Sequence, residues 1–211
     1  MCDNLDPDTC ARLAIAGHVL AQVLADAPSA DLARQLSDPI MLDTWPLSGG
    51  DSEVGVSLLR GLDGQSESGE ALREDHFLLL RGPGRALVQP HESVYTSPDH
   101  LVFDVATLEV RGIYRRWGLE VALIGREPDD HIAYEVAFVS QLVSRLPALG
   151  VAGRDRALGD LRAMVGEHLS VFVGDVAGGL IEHARTRTYR ACGHLLSGWF
   201  ASVSDAVGCS S

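Results

Sequence analysis

The chain contains no lysine, so its 17 basic residues are all arginines. A Schiff-base mechanism needs an amine and a Walker-type phosphate loop needs its lysine, so both are excluded. Cysteine is also scarce, and no two of the four cysteines form a C-x-x-C pair, as a zinc knuckle or a dithiol redox site would require. We expect reduced thiols at Cys2, Cys10, Cys192 and Cys209.

Long apolar runs are absent as well. No stretch of about 18 apolar residues is available to span a bilayer, and residues 1–8 are acidic where a signal peptide would be basic and then apolar. We therefore expect a cytoplasmic protein without stable membrane insertion. With 46% hydrophobic residues, the 211-residue chain can nevertheless bury a sizeable core.

Negative charge is concentrated in the first part of the chain. The net charge is −12, and residues 1–80 hold 14 acids against 4 arginines. Such a surface repels nucleic acid and anionic lipid and attracts a cationic partner, so we expect no nucleic-acid partner. The alternative is an ordinary solvated acidic face that aids solubility.

Apolar residues recur at helical spacing along most of the chain, and neither sustained period-two alternation nor a hairpin turn is present. This pattern predicts an all-α fold, with Ser97 and Pro98 beginning one helix and a strand over 101–105 as the main alternative there. We expect one domain over 1–211, with a possible division into 1–146 and 154–211 and a possible homodimer by helix exchange. The predicted helices are 8–27, 31–36, 51–62, 69–80, 98–118, 128–146, 155–166, 167–183 and 188–207.

The segment Glu127-Pro128-Asp129-Asp130-His131 is the most informative motif. Pro128 suits the first position of a helix, and acids after it favour the positive end of the helix dipole. Glu135 lies one turn beyond His131, so the two side chains should share a face of that helix.

Two weaker motifs precede it. Residues 75–83, Asp-His-Phe-Leu-Leu-Leu-Arg-Gly-Pro, predict a helix that ends in a tight Gly-Pro turn. Residues 90–95, Pro-His-Glu-Ser-Val-Tyr, place a carboxylate, a hydroxyl and an aromatic ring on a stiff segment. Each motif alone is more often structural than functional.

In this order, the three motifs resemble those of the TorD/DmsD family of redox-enzyme maturation chaperones, over about residues 70–146. The Glu-Pro-x-Asp-His element is the family's most specific mark. The resemblance implies an all-helical cytoplasmic chaperone that is not an enzyme and carries no cofactor. It also implies two linked partners, the twin-arginine signal peptide and the apo form of a molybdopterin-containing oxidoreductase.

By the same resemblance, the peptide-binding residues are drawn from all three motifs. They are His76, Leu79, Leu80, Pro90, His91, Ser93, Tyr95, Asp130 and His131. Glu127 joins this set on its charge, because exposed carboxylates of the third motif should orient the arginines of the peptide.

Other interpretations remain open. A metal-dependent hydrolase could use His131 and Glu135 with a further histidine such as His76 or His168, and a non-catalytic interaction subunit is also compatible. In a purely structural reading, Asp130 and His131 cap their helix and tie it to the loop at 81–98. Residues 81–85, Arg-Gly-Pro-Gly-Arg, are a poor phosphate cradle because Pro83 lacks an amide donor. Trp199 reads as a buried core residue.

Overall fold

A computed structural model describes residues 5–84, 86–121 and 128–209. Within these ranges the fold is all-α, as predicted, and the β-structure is limited to one isolated bridge. The α-helices are α1 (Pro7–Ala25), α2 (Ala30–Ser37), α3 (Pro39–Asp43), α4 (Gly50–Arg60), α5 (Gly69–His76), α6 (Ser93–Thr96), α7 (Val105–Arg116), α8 (Ile132–Arg145), α9 (Val151–Ala163), α10 (Ser170–His183) and α11 (Arg187–Val207).

Three shorter helical segments depart from α geometry. A π-helical segment, Phe77–Arg81, continues α5, and a 3₁₀ segment, Leu146–Ala148, follows α8. A second π-helical segment, Met164–Leu169, joins α9 to α10. Because π-helical turns within α-helices are frequent at functional sites, both π segments mark regions where a site could lie.

The core is built where α1 packs along α8 and where α11 packs against α4 and α10. Trp199 of α11 is fully buried, as predicted, and its indole N–H donates to the carbonyl oxygen of Leu13 at 3.0 Å. Gly17 permits this close packing, because a Cβ atom there would lie 2.7 Å from the indole nitrogen of Trp199.

Two predicted helix starts are wrong. Ser97 does not begin α7. Its N–H instead closes α6 by donating to the carbonyl of Ser93 at 2.9 Å, and Asp104 caps α7 by accepting from the N–H of Val105 at 2.8 Å. Pro128 does not begin α8 either, because Asp129 and Asp130 form a turn and the helix starts only after its cap residue His131.

Two starts near the N-terminus also differ in detail. Asp6 caps α1, so the proline at position 7 takes the first helical position, one residue before the predicted start at residue 8. Helix α3 was not predicted, although Asp38 and Pro39 form the same cap-and-proline pair at its start. Both cases follow the rule that an acceptor side chain before proline starts a helix.

The expectation about membrane-spanning stretches needs a correction. The continuous helix Val151–His183 is long and apolar enough to cross a bilayer by length and composition, but half of its most apolar window is buried within the protein. A core helix of a folded domain has the same properties, so this is weak evidence for a span. Of the four cysteines expected as reduced thiols, Cys10, Cys192 and Cys209 are free thiols, and Cys2 lies outside the described residues.

Candidate functional site

The second and third sequence motifs meet in space. An isolated antiparallel bridge pairs His91 with His131, and the N–H of Ile132 donates to the carbonyl oxygen of Pro90 at 2.8 Å. The loop after the first π segment is therefore fastened to the start of α8.

Asp130 lies at the centre of this junction and is fully buried. Its carboxylate accepts from the N–H of Ser93 at 2.7 Å and from the hydroxyl of Thr107 at 2.8 Å. Its backbone carbonyl accepts from the N–H of Glu92 at 3.0 Å. Hydrogen bonds to a buried charged group are strong, so Asp130 ties the loop, α6 and α7 to the start of α8.

Asp129 is neutralised inside the protein as well. The Arg111 side chain donates to its Oδ2 atom through Nε at 3.0 Å and through Nη2 at 2.6 Å, and this bond raises the pKa of Arg111. The carboxylates of Asp129 and Asp130 thus face interior partners and do not line a groove. Glu127 lies outside the described residues.

His131 acts as the cap of α8. Its Nδ1 atom accepts from the N–H of Ala133 at 3.1 Å, so the proton of the neutral ring is placed on Nε2. Burial lowers the pKa of His131 well below its ordinary value, and the nearby His91 ring lowers it further. A neutral imidazole is what an acceptor at the positive end of a helix requires.

Beyond this cap, Glu135, Glu92 and His168 form a buried acid–acid–imidazole row. Burial raises the pKa of Glu135 well above its ordinary value, and the nearby Glu92 and Asp130 raise it further. Burial alone would lower the pKa of His168, but the hydrogen bond and charge of Glu92 outweigh it and leave that pKa raised. Glu92 contacts the Nδ1 atom of His168 through both carboxylate oxygens, whereas neither carboxyl oxygen of Glu135 has a hydrogen-bond partner among the described residues.

This row does not amount to a metal centre. Among residues 5–84, 86–121 and 128–209, no three side chains of the types that bind metals converge on one point. The Nδ1 atom of His131 already accepts a backbone hydrogen bond. The hydrolase interpretation, built on His131 and Glu135, therefore receives no support from the geometry.

Most of the predicted peptide-binding residues lie in the interior. His91 and Tyr95 are partly exposed, and Tyr95 alone of the set lines a sizeable cavity. The His76 ring packs at 5.8 Å from that of Tyr189, and burial lowers the pKa of His76. The buried members of the predicted set are His76, Leu79, Leu80, Pro90, Ser93, Asp130 and His131.

A cavity of about 800 Å³ opens between the loop that carries Tyr95 and helix α10. The Tyr95 hydroxyl donates to the carbonyl of Gln89 at 2.9 Å, and its ring packs at 5.7 Å from Phe172. On the α10 side, Gly174 and Gly178 leave open space where other residues would place side chains. The volume is in the range of pockets that hold peptides or small ligands.

The cavity lining is about equally polar and apolar, and one wall is acidic. Leu87 and Val88 line it from the loop, and Asp175 and Glu182 line it from α10. The two carboxylates are seven residues apart, which is about 10 Å along a helix, on the same face. Both are exposed, and neither has an ion-pair partner in the part of the chain that the structure describes.

Sequence reasoning missed this α10 wall. The stretch 172–183, Phe-Val-Gly-Asp-Val-Ala-Gly-Gly-Leu-Ile-Glu-His, reads first as an apolar helix. The available signal was the pairing of Gly174 with Gly178 one turn on, flanked by acids two turns apart. A helix face made of glycines and carboxylates has no large apolar side chains to pack in a core, and charged groups are rarely buried there.

Comparison with family models identifies the family of this chain. The sequence model of the nitrate reductase delta subunit family matches residues 47–178. A solved structure, described as a "putative redox enzyme maturation protein" from Archaeoglobus fulgidus, is 20% identical, with coverage of 84% of this chain and 89% of that chain and a TM-score of 0.46. A search of curated proteins found no match.

Proposed function

Because the chain belongs to the nitrate reductase delta subunit family, we propose that it is a cytoplasmic maturation chaperone for a molybdopterin-containing oxidoreductase. It binds the twin-arginine signal peptide of the apo enzyme and delays export until the cofactor has been inserted. The chaperone itself performs no chemical reaction. The observation that carries the proposal is the cavity of about 800 Å³, which combines apolar residues with two carboxylates on one wall that have no ion-pair partner among the described residues.

The chemistry of a twin-arginine signal matches this cavity. Such a signal presents two guanidinium groups and then an apolar stretch, and Asp175 and Glu182 offer carboxylates to the former. Leu87, Val88 and Tyr95 offer apolar contact to the residues beside them. Arginine is suited to carboxylates because its planar fork can donate two parallel hydrogen bonds.

Apolar contact should set the strength of binding. Removal of about 400 Å² of apolar surface from water gives on the order of 10 kcal/mol, against association costs of roughly 4–15 kcal/mol. Exposed arginine–carboxylate pairs add only about 0–1 kcal/mol each. The carboxylates therefore act mainly on encounter rate, orientation and specificity.

The buried tie explains how the cavity is preformed. Asp130 fixes the N–H of Ser93, which is two residues before Tyr95, and Gln89 holds the Tyr95 hydroxyl through its carbonyl. A preformed wall lowers the ordering cost of peptide binding. The family motif around Asp130 thus supports the site from behind without contacting the peptide.

Isothermal titration against signal peptides from molybdoenzymes encoded near this gene tests the proposal. We expect a peptide with the arginine pair to bind more tightly than one with both arginines changed to glutamine. Absence of binding to every such peptide, and to the apo oxidoreductases, overturns the proposal.

A charge-matched pair of variants tests the site itself. In Asp175→Asn with Glu182→Gln, we expect affinity to fall by up to about fivefold per lost ion pair and the association rate to lose its salt dependence. Asp155 and Glu120 are also exposed acids, and neither lines this cavity. The control, Asp155→Asn with Glu120→Gln, changes the net charge equally and should leave affinity unchanged.

A further inference from the structure

The segment that follows the cavity wall carries an unusual apolar surface. His100 lines the cavity, and its Nδ1 atom lies 2.7 Å from the carbonyl of Val94. The next eight residues expose five apolar side chains, which we call the apolar strip: Leu101 (59% exposed), Val102 (45%), Phe103 (48%), Val105 (62%) and Leu108 (62%).

The strip is not explained by packing. Helix α7 already buries Ala106, Thr107 and Val110 on its inner face, and Val105 and Leu108 share the outer face. The outer face of a surface helix is normally polar. Single exposed apolar residues are ordinary, but a contiguous patch marks an interaction surface.

The charges around the strip restrict what can cover it. Asp99, Asp104 and Glu109 flank it, and residues 99–109 contain no arginine. Asp104 is partly exposed, and the pKa of its carboxyl group is lowered by hydrogen bonds from the Ser97 hydroxyl and the Val105 N–H, so it stays ionised. A partner segment in which cationic residues precede an apolar stretch is complementary to these negative charges.

A second copy of the chain does not match it. In a two-fold symmetric contact, the same patch faces itself, so the acids of one strip would lie near those of the other. Each copy also carries a net charge of −12. Like charges brought together across an interface cost free energy.

We infer that the apolar strip binds the apolar stretch of the signal peptide, while the cavity binds the arginine pair that precedes it. This inference rests on the proposed function and divides the peptide between two adjoining surfaces. The chain runs directly from His100, in the cavity wall, to Leu101, the first residue of the strip. One continuous peptide can therefore cover both.

A double-mutant cycle between protein and peptide tests the inference. The protein variant is Val105→Ser with Leu108→Ser, and the peptide variant changes two leucines of the apolar stretch to serine. For the unmodified peptide, we expect the protein variant to weaken affinity by roughly tenfold or more. The peptide substitution should weaken binding to wild type but have little further effect on the strip variant.

The control variant is Ile40→Ser with Met41→Ser, which removes two apolar side chains elsewhere on the surface that are 75% and 50% exposed. It should bind like wild type and retain the full effect of the peptide substitution. Leu101→Ser with Val102→Ser provides a second strip variant, outside any helix, should the first fail to fold.

The possible outcomes separate the two proposals. If wild type binds the peptide but the strip variants bind as the control does, the strip inference is overturned while the proposed function stands. If wild type binds no twin-arginine peptide, both fail. If wild type is a dimer by light scattering and a strip variant is a monomer, the strip is a contact between copies, and the inference is wrong.

Discussion

The imidazole of His168 lies against the carboxylate of Glu92, with 3.0 Å between Nδ1 and Oε2 and side-chain exposures of 8% and 3%. His168 belongs to the π-helical segment Met164–Leu169, and Glu92 immediately precedes the helix that carries Tyr95. The pair thus connects the long helix Val151–His183 to the loop that forms one wall of the cavity. Removal of either partner leaves a buried group without its counterpart.

Glu92→Gln should destabilise the protein most at mildly acidic pH. The folded-state pKa of His168 is raised, so its stabilising contribution is complete below the unfolded pKa of about 6.5 and is lost as pH rises through the folded value. We expect a loss of about 3 kcal/mol near pH 6 and a smaller loss near pH 9. Urea unfolding at both pH values measures the difference.

The control for this variant is the pair between His194 and Asp51, which also has an Nδ1–carboxylate contact, at 2.7 Å, but is partly exposed. Asp51→Asn should cost only about 0–1 kcal/mol. Equal losses for Glu92→Gln at the two pH values would show that His168 is not charged in the folded protein.

Glu135→Gln should stabilise the protein relative to wild type, and this gain should increase as pH rises. Glu135 has a folded-state pKa raised well above 4.5, so the folded chain holds a proton that the unfolded chain releases. Stability therefore falls as pH rises from about 4.5 to the folded value, and glutamine removes this dependence. We expect the variant to gain on the order of 1 kcal/mol or more over wild type at neutral pH. If the unfolding free energies of the two proteins change in parallel with pH, this expectation is contradicted.

Asp130→Ala separates a structural role from a direct role in binding. The substitution leaves the Ser93 N–H and the Thr107 hydroxyl unsatisfied in the interior. We expect a loss of about 3 kcal/mol or more in unfolding free energy, and a smaller loss for Asp130→Asn, which keeps one acceptor oxygen. Denaturant titration measures both, with Asp155→Ala as the exposed-acid control.

Peptide titration of the folded fraction completes this test. The double variant Asp130→Ala with His131→Ala should lose stability together with affinity, because the tie and the helix cap are both removed. Full stability with lost affinity would instead place these side chains in direct contact with the peptide.

The helices were predictable because apolar spacing reports a packed face. Helix α1 was expected over 8–27 and spans Pro7–Ala25. The start of α8 was harder to predict, because Pro128 and His131 can both begin a helix. The choice depends on the bridge to His91, which is a tertiary contact that local sequence does not report.

The site was less predictable than the fold. The motif around Asp130 was recognised, but its burial depends on Ser93 and Thr107, which are distant in sequence. Conversely, Asp175 and Glu182 stand out only when the loop bearing Tyr95 faces them. Motif position identified the region, and tertiary packing determined which side chains face solvent.

Gly178→Leu should block the cavity without damaging the fold. A Cβ atom at Gly178 meets nothing within 4 Å, and the position lines the cavity in the middle of α10. Leucine is a better helix former than glycine, by roughly 0.5–1 kcal/mol, so stability should be equal or higher. Peptide affinity should nevertheless fall, because the side chain occupies the cavity.

Gly159→Leu in α9 is the control for this variant. A side chain at Gly159 also meets open space but lies outside the cavity, so the substitution should stabilise the helix similarly and leave binding intact. Thermal melts and peptide titrations of the two variants check this, and equal affinities would exclude the cavity as the peptide site.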